Sequence, residues 1–186
     1  VPPGGNFPRP MADRDPDRLH VELTELLFFA YRDFTGEPDA VLSSYRLGRA
    51  HHRVLHFINR HPGVRVADLL EILKITKQSL ARVLKQLVDD GWIEQRTGAE
   101  DRRERHLSLT PRGIDLAVRL QTLQSRRIAA ALAEAGIIDP TAIERFLFAM
   151  ISTEERLSVR TMIGHGPADS ATSRARAGSH SDEQVP

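Results

Sequence analysis

The chain of 186 residues is 40% hydrophobic and 27% charged with a formal net charge of +1, so it can bury a core but carries no general basic coat. It contains no Cys, which excludes disulfides, thiolate metal sites and cysteine redox switches. No apolar run approaches about 18 residues and no signal-peptide core stands near the start, so we expect a cytoplasmic protein without a membrane segment.

The first predicted helix begins at Asp15 and Pro16, which suit an N-cap and a first helical position. Apolar residues then recur at helical spacing. Gly36 and Pro38 predict its end, because both residue types interrupt helices.

A second helix is expected to be capped by Ser43 or Ser44 and to stop at 61–63, where His, Pro and Gly follow one another. Two further helices are predicted directly after it along the chain, a short one at 66–73 and a longer one at 76–90 that a glycine closes. This order, a short helix, a short turn and a second helix, is that of a helix-turn-helix.

The next segments predict a β-hairpin and more helix. Strands at 92–96 and 104–109 flank a loop that contains a glycine, which favours a hairpin. Thr110 and Pro111 then open a long helix that ends near Gly136. A last helix is predicted from Asp139. Its expected buried face comprises Ile143, Phe146, Leu147, Met150 and Ile151.

The helix at 76–90 has two distinct faces. An apolar stripe runs through Leu80, Val83, Leu84 and Leu87. A separate polar face holds Gln78, Ala81, Arg82 and Lys85, and it meets no acid until Asp89. Arg or Lys suits guanine in a major groove, Gln suits adenine and Ala suits a thymine methyl group. Taken alone, a solvated face explains the same pattern equally well.

Positive charge is concentrated around this helix and the hairpin. Between residues 74 and 112, nine cations and six anions give a net charge of +3, against −2 for the rest of the chain. Arg102, Arg103 and Arg105 stand at or beside the hairpin tip, where an arginine can reach a minor groove. Asp101 could pair with Arg103 and fix its direction. A solvated charged turn is the commoner explanation of such a run, but its place directly after a helix-turn-helix favours DNA contact.

These blocks resemble the MarR family of bacterial regulators. The family's wing signature is Asp-x-Arg, a short strand and Leu-Thr-x-x-Gly, and the chain has these residues between Asp101 and Gly113. Upstream, the residues at 61–63, 66–70, 75–80 and 90–93 resemble the family's successive blocks. The resemblance runs from about Asp15 to Gly164. Lys74 departs from it, because the family often has Gly at this turn, and a positive φ would cost Lys about 1 kcal/mol.

The resemblance implies a homodimer in which the first and last helices of two chains interlace. It also implies binding to double-stranded operator DNA, with Asp101 supporting Arg103 in the minor groove. The residues expected to contact DNA are Thr76, Lys77, Gln78, Ser79, Arg82, Lys85, Asp101, Arg102, Arg103 and Arg105.

Members of the family often respond to small aromatic or phenolic acids. The candidate pocket residues are Tyr31, Tyr45, His52 and His56, on the two helices that would line such a pocket. The histidines stand four residues apart, a spacing that also suits a metal, but no acid or third His lies at helical spacing beside them. We therefore favour structural histidines over ligands and expect neither a metal nor a cofactor.

The sequence predicts a mainly α fold with a small β-hairpin wing, divided into five segments. They are a flexible arm at 1–14, a dimerisation helix at 15–42, a winged helix-turn-helix lobe at 43–110, dimerisation helices at 111–163 and a disordered tail at 164–186.

The predicted function is that of a homodimeric regulator, a repressor released by a small effector. A metal-responsive regulator of the same fold and a winged-helix protein-interaction module remain as alternatives. An enzyme is not expected, because no Gly-rich cofactor loop, metal triad or nucleophile–base pair is visible and little chain follows Gly164.

Overall fold

Residues 15–98 and 104–164 are described by the structure, a computed structural model. They form seven α-helices and three β-strands. The helices are α1 (Pro16–Ser43), α2 (Arg49–Arg60), α3 (Val66–Leu73), α4 (Lys77–Asp89), α5 (Pro111–Glu134), α6 (Thr141–Ala149) and α7 (Arg156–Gly164). The strands are β1 (Val64–Arg65), β2 (Ile93–Thr97) and β3 (Arg105–Leu109).

The three strands make one antiparallel sheet in the order β1-β3-β2. The predicted hairpin is confirmed, with Ile93 opposite Leu109 and Thr97 opposite Arg105. Strand β1 was not predicted, because two residues are too few to show a period. The sheet follows directly on α3 and α4, so the architecture is a winged helix-turn-helix and the predicted fold class is confirmed.

Helix α1 does not end at Gly36 and Pro38, so that prediction is wrong. The helix continues to Ser43 with Pro38 inside it. A proline removes one backbone hydrogen bond, but here Pro38 and Leu42 are buried against the core. A salt bridge of 2.7 Å between Glu37 and Arg127 also ties this part of α1 to α5. Tertiary packing therefore overrides the local helix-breaking preference.

Ser43 and Ser44 do not cap α2, contrary to the prediction. Their hydroxyl groups donate to the carbonyl oxygens of Ala40 and Val41, at 2.8 and 2.7 Å, and so close α1. Helix α2 begins after Gly48 instead.

The last predicted helix is two helices separated by a break. Helix α6 ends at Ala149, and a 3-10 turn at Thr153–Glu155 precedes α7. The Arg156 side chain donates to the carbonyl oxygens of Ala149 and Ile151, at 2.7 and 3.0 Å, and so satisfies free groups at the end of α6. The single chain does not bury the predicted face by itself, since Phe146, Leu147 and Met150 are about half exposed, and burial of this face between two chains stays a prediction.

The core lies in the winged lobe and at the neighbouring ends of α1 and α5. Its members are all apolar and at most 9% exposed. They are Leu42, Leu47, Val54, Leu55, Ile58, Val64, Leu69, Leu73, Leu80, Val83, Leu84, Leu87, Trp92, Ile93, Leu107, Leu116 and Leu120. Within the described residues, α6 and α7 contribute no buried side chain, and α1 contributes none before Thr35.

The winged lobe is joined to α5 by a close backbone contact. The N-cap Thr110 accepts from the N–H of Gly113 at 3.1 Å and donates to the carbonyl oxygen of Gly91 at 2.8 Å. A Cβ atom on residue 113 would stand 2.0 Å from the Trp92 carbonyl oxygen. Only glycine therefore allows α5 to start this close to Trp92, which directly precedes β2.

We expect Gly113→Ala to destabilise the fold by about 1–3 kcal/mol, because the new methyl group must displace backbone rather than a flexible side chain. Gly36→Ala is the matched control. Its added Cβ meets nothing within 4 Å in α1, and replacing a helical glycine should stabilise by about 0.5–1 kcal/mol. Urea unfolding of both variants measures the two changes. A Gly113→Ala protein as stable as the parent would show that the contact is not constraining.

Candidate nucleic-acid interface

Helix α4 presents two faces, as its sequence predicts. Leu80, Val83, Leu84 and Leu87 are at most 8% exposed and pack into the core. The opposite side carries four exposed residues, here called the groove face: Gln78, Ala81, Arg82 and Lys85. Their apolar neighbours hold the helix against the lobe, so the polar side chains project from a rigid surface element.

The turn before α4 is shaped by two local contacts. Lys74 ends α3 in the left-handed conformation, with φ of 50°, so the strain expected for a non-glycine residue at this turn is present. Thr76 then caps α4 by accepting from the N–H of Ser79 at 3.2 Å. Thr76, Lys77 and Ser79 are all exposed at this helix start, where free N–H groups favour an anion.

Lys85 has a partner that the sequence analysis did not assign. Its ammonium group is paired with Asp89 one turn later, and that contact raises the pKa of Lys85. Both side chains are more than half exposed, so the pair is screened by solvent and easily exchanged for another anion. Gln78 and Arg82 carry no such ion pair among the described contacts.

The predicted wing is present, but its tip is only partly placed. Asp101, Arg102 and Arg103 lie outside the described residues. Below them, the Gly98 N–H donates to the Glu104 carbonyl oxygen at 3.1 Å, and Arg105 donates to the Thr97 hydroxyl at 2.6 Å. The tip therefore begins directly beyond a closed strand ladder, and Arg105 is exposed at its edge.

A network beside the outer end of the hairpin was missed by sequence analysis. Arg65 forms salt bridges with Asp68 at 2.7 Å and with Glu104 at 2.9 Å, and His106 lies 3.3 Å from Glu104. Hydrogen bonding to these two carboxylates raises the pKa of Arg65, and Arg65 in turn lowers that of Asp68. The network ties the wing to the start of α3. No local pattern could reveal it, because Glu104 is 39 residues from Arg65.

The four candidate effector residues occupy different surroundings. Tyr31 is exposed, with the Arg49 guanidinium 5.6 Å from its ring centre. Tyr45 follows α1, and its ring meets that of Trp92 edge-on at 5.1 Å. His52 and His56 are half-buried on α2. The prediction that these residues share one pocket stays a prediction.

His56 lines a cavity of about 290 Å³ between α2, α3 and α7. Its walls include the apolar side chains of Phe57, Ile72 and Met162, while Arg60 lies at the same site and donates to the Ile163 carbonyl oxygen at 3.2 Å. Such a space is close to the lower limit for binding a small organic molecule.

Residues 15–98 and 104–164 hold neither a cluster of metal ligands nor a helix that could cross a membrane. No group of three or more His, Cys, Asp or Glu residues there is arranged to hold a metal ion. None of the helices in these ranges combines the length and apolar character that crossing a membrane requires.

Comparison with known proteins gives matches across the winged lobe and beyond. Residues 47–104 match a family model described as the MarR family. The HTH-type transcriptional regulator PetP of Rhodobacter capsulatus is 51% identical over 122 residues, which cover 66% of this chain and 72% of PetP.

Solved structures share the fold at lower identity. A mutant of MarR from E. coli complexed with operator DNA is 21% identical, with a TM-score of 0.54 over 73% of this chain and 97% of that one. The YusO protein from Bacillus subtilis is 18% identical, with a TM-score of 0.56 over 74% of this chain and 100% of YusO.

The two half-buried histidines of α2 predict a pH-dependent stability. Burial lowers the pKa of His52, against a smaller opposing effect of Asp39. Burial also lowers the pKa of His56, assisted by the charges of His52, Arg60 and His61. The unfolded chain therefore binds protons more readily than the folded one, and stability should fall as pH drops through and below about 6.5.

Replacing both His52 and His56 by Gln should reduce the loss of folding stability at low pH, measured as the midpoint of urea unfolding between pH 7.5 and 5. His20→Gln, at an exposed position in α1, is the control and should leave the slope unchanged. A double variant with the parent's slope would assign the pH dependence to other groups.

Proposed function

The chain belongs to the MarR family of DNA-binding transcriptional regulators, and from that premise we propose that it represses transcription as a homodimer on a palindromic operator. The observation that carries the proposal is the exposed groove face of α4, which holds Gln, Ala, Arg and Lys without an acid among them and is backed by a buried apolar stripe. The chain is accordingly a regulator and not an enzyme.

Helix α4 is proposed to lie in the major groove. Arg82 can donate to a guanine and Gln78 can bond an adenine in two places, so these side chains would read bases. Lys77, Thr76 and Ser79 stand at the helix start, where contacts to phosphate would set the register of the protein on the duplex. Lys85 would exchange Asp89 for a base edge or a phosphate.

The wing is proposed to reach the minor groove beside this helix. Asp101, Arg102 and Arg103 follow the last closed rung of the hairpin, and Arg105 is exposed at its edge. A narrow minor groove concentrates negative potential and attracts arginine. The salt bridges of Arg65 to Asp68 and Glu104 hold the outer end of the hairpin against the start of α3.

The groove face can be tested by substitution against a duplex that the parent selects from a random-sequence pool. Gln78→Ala and Arg82→Ala should each weaken binding to this duplex by about 1–3 kcal/mol and change binding to a scrambled duplex far less. Lys77→Ala should weaken both about equally, because phosphate contacts carry no sequence information. Fluorescence anisotropy at two salt concentrations measures both affinities.

If all three variants lose affinity equally on the two duplexes, α4 does not read bases. If the parent selects no duplex and shows no salt-dependent DNA binding, the lobe serves protein contacts instead.

Dimerisation is proposed from the apolar surface that a single chain leaves uncovered. Large apolar side chains at least 37% exposed are spread over α1, α5, α6 and α7. They include Val21, Leu23, Leu26, Leu27, Phe28, Phe29, Tyr31, Ile114, Val118, Ile128, Phe146, Leu147, Met150, Leu157 and Ile163. Monomers rarely expose contiguous apolar patches of this extent, and these helices flank the lobe that reads DNA. A two-fold pair of chains would cover them and place two α4 helices about 34 Å apart.

Phe28→Glu combined with Phe146→Glu should give monomers, because both side chains are exposed in the single chain and a charge would be buried between two. Sedimentation velocity near 10 µM and circular dichroism should show loss of the dimer with the helical content retained. Val88→Glu, at an exposed apolar position on α4 outside this surface, is the control for the oligomeric state and should remain dimeric. Operator affinity should fall more than tenfold in the double variant. A monomeric parent that binds operator tightly contradicts the proposal.

Release of the operator is proposed to follow binding of a small aromatic or phenolic acid. The cavity beside His56 supports a site between the winged lobe and α7, because its apolar walls suit a ring and Arg60 suits a carboxylate. Loss of operator binding in the presence of a panel of benzoates would support this step. If an Arg60→Ala protein responds equally to the same compounds, the effector site does not include Arg60 and lies elsewhere.

A further inference from the structure

His51 and Gln86 connect α4 to the segment between α1 and α2. The His51 Nε2 atom lies 2.9 Å from the Gln86 Oε1 atom, although the two residues are 35 positions apart. The Gln86 Nε2 atom donates to the Arg46 carbonyl oxygen at 3.1 Å. The His51 Nδ1 atom accepts from the Gly48 N–H at 3.1 Å. Both ends of this chain of bonds therefore lie in the α1–α2 connection, residues 44–48.

The donor and the acceptor of each of these hydrogen bonds can be assigned. Because Nδ1 of His51 accepts from a backbone N–H, the proton of the neutral ring is on Nε2, which donates to Gln86. The Gln86 amide must then present its oxygen to His51 and its nitrogen to Arg46, so its orientation is fixed as well. The bond between His51 and Gln86 is partly buried, where a hydrogen bond is better protected from water than on the surface. Arg46 itself has a φ of 57°, so the carbonyl group that accepts from Gln86 belongs to a strained turn.

Gln86 stands on the flank of α4, between the groove face and the apolar stripe. It follows Arg82 by one helical turn and adjoins Lys85 and the buried Leu87. We propose that His51 and Gln86 are positioning residues for base reading, which set the rotation of α4 about its own axis. The proposal rests on the function proposed above, in which α4 reads bases.

The buried apolar stripe holds α4 against the lobe, but burial of apolar surface is non-directional, so a hydrogen bond on the flank adds a directional constraint on this rotation. Side-chain ends lie about 6 Å from the helix axis, so a rotation of about 10° moves them by about 1 Å. Good hydrogen-bond lengths run from about 2.7 to about 3.2 Å, so a displacement of about 1 Å is larger than the whole spread of these lengths. A directional contact on the flank of α4 therefore affects base reading more than it affects the core.

The test compares binding of each variant to the parent-selected duplex and to its scrambled version, with urea stability measured alongside. His51→Ala and Gln86→Ala should each weaken binding to the selected duplex about threefold to tenfold and change the scrambled duplex less than twofold. The double variant should lose no more than either single one, because both remove the same connection. Asn59→Ala, on the same helix and half-buried, is the matched control and should keep the parent's ratio of affinities.

Two conservative variants separate positioning from local helix capping. His51→Gln places an amide near the former Nε2 position and should restore much of the discrimination. His51→Asn places one near Nδ1, keeps the bond to Gly48 and should not. Rescue by Asn and not by Gln would overturn the proposal, as would unchanged discrimination in His51→Ala. If Gln78→Ala and Arg82→Ala also leave discrimination unchanged, the fault lies in the proposed role of α4 itself.

Discussion

The carbonyl oxygen of Trp92 occupies the space that a Cβ atom on residue 113 would need, and this approach fixes how α5 leaves the winged lobe. Thr110 secures the joint by capping α5 and bonding back to Gly91. Arg112 adds a second tie, with its guanidinium 3.7 Å from the centre of the Trp92 ring and a bond of 2.9 Å to the Asp90 carbonyl oxygen. One short stretch of chain thus sets the end of α4, the start of the wing and the direction of α5.

This joint has a functional consequence because α5 carries part of the uncovered apolar surface. In the proposed dimer, any change in how two α5 helices meet would pass through a rigid connection to both α4 helices. The bonds between Gly48, His51, Gln86 and Arg46 form a second connection, from the end of α1 to the flank of α4. Two ties between the proposed dimer helices and α4 would suit the proposed dimer if its operator affinity depended on the spacing of its two lobes.

The sequence predicts those features that local chemistry determines. The two faces of α4, the Thr110 cap and the hairpin follow from spacing and residue type, and the chain adopts all three. Where local preference and tertiary packing compete, the prediction fails. Pro38 continues α1 because it is buried beside Leu42, and Ser43 and Ser44 close a helix because their hydroxyl groups find carbonyl oxygens behind them.

The contacts of the candidate site that could not be predicted join distant residues. Arg65 meets Glu104, and His51 meets Gln86, only after the sheet and the helix pair have formed. A charge count finds the net +3 segment but does not show that Lys85 within it already has a carboxylate partner. The exposed apolar side chains of α6 illustrate the same limit, since their spacing indicates a buried face without saying which chain buries it.

The most direct test of base reading by paired α4 helices is a methylation-interference footprint on the selected duplex. Dimethyl sulfate methylates guanine N7, which lies in the major groove at the atom that Arg82 is proposed to contact. The account predicts interference at two symmetric groups of guanines about ten base pairs apart on one face of the duplex. A single group, or binding unaffected by N7 methylation throughout the site, would contradict it.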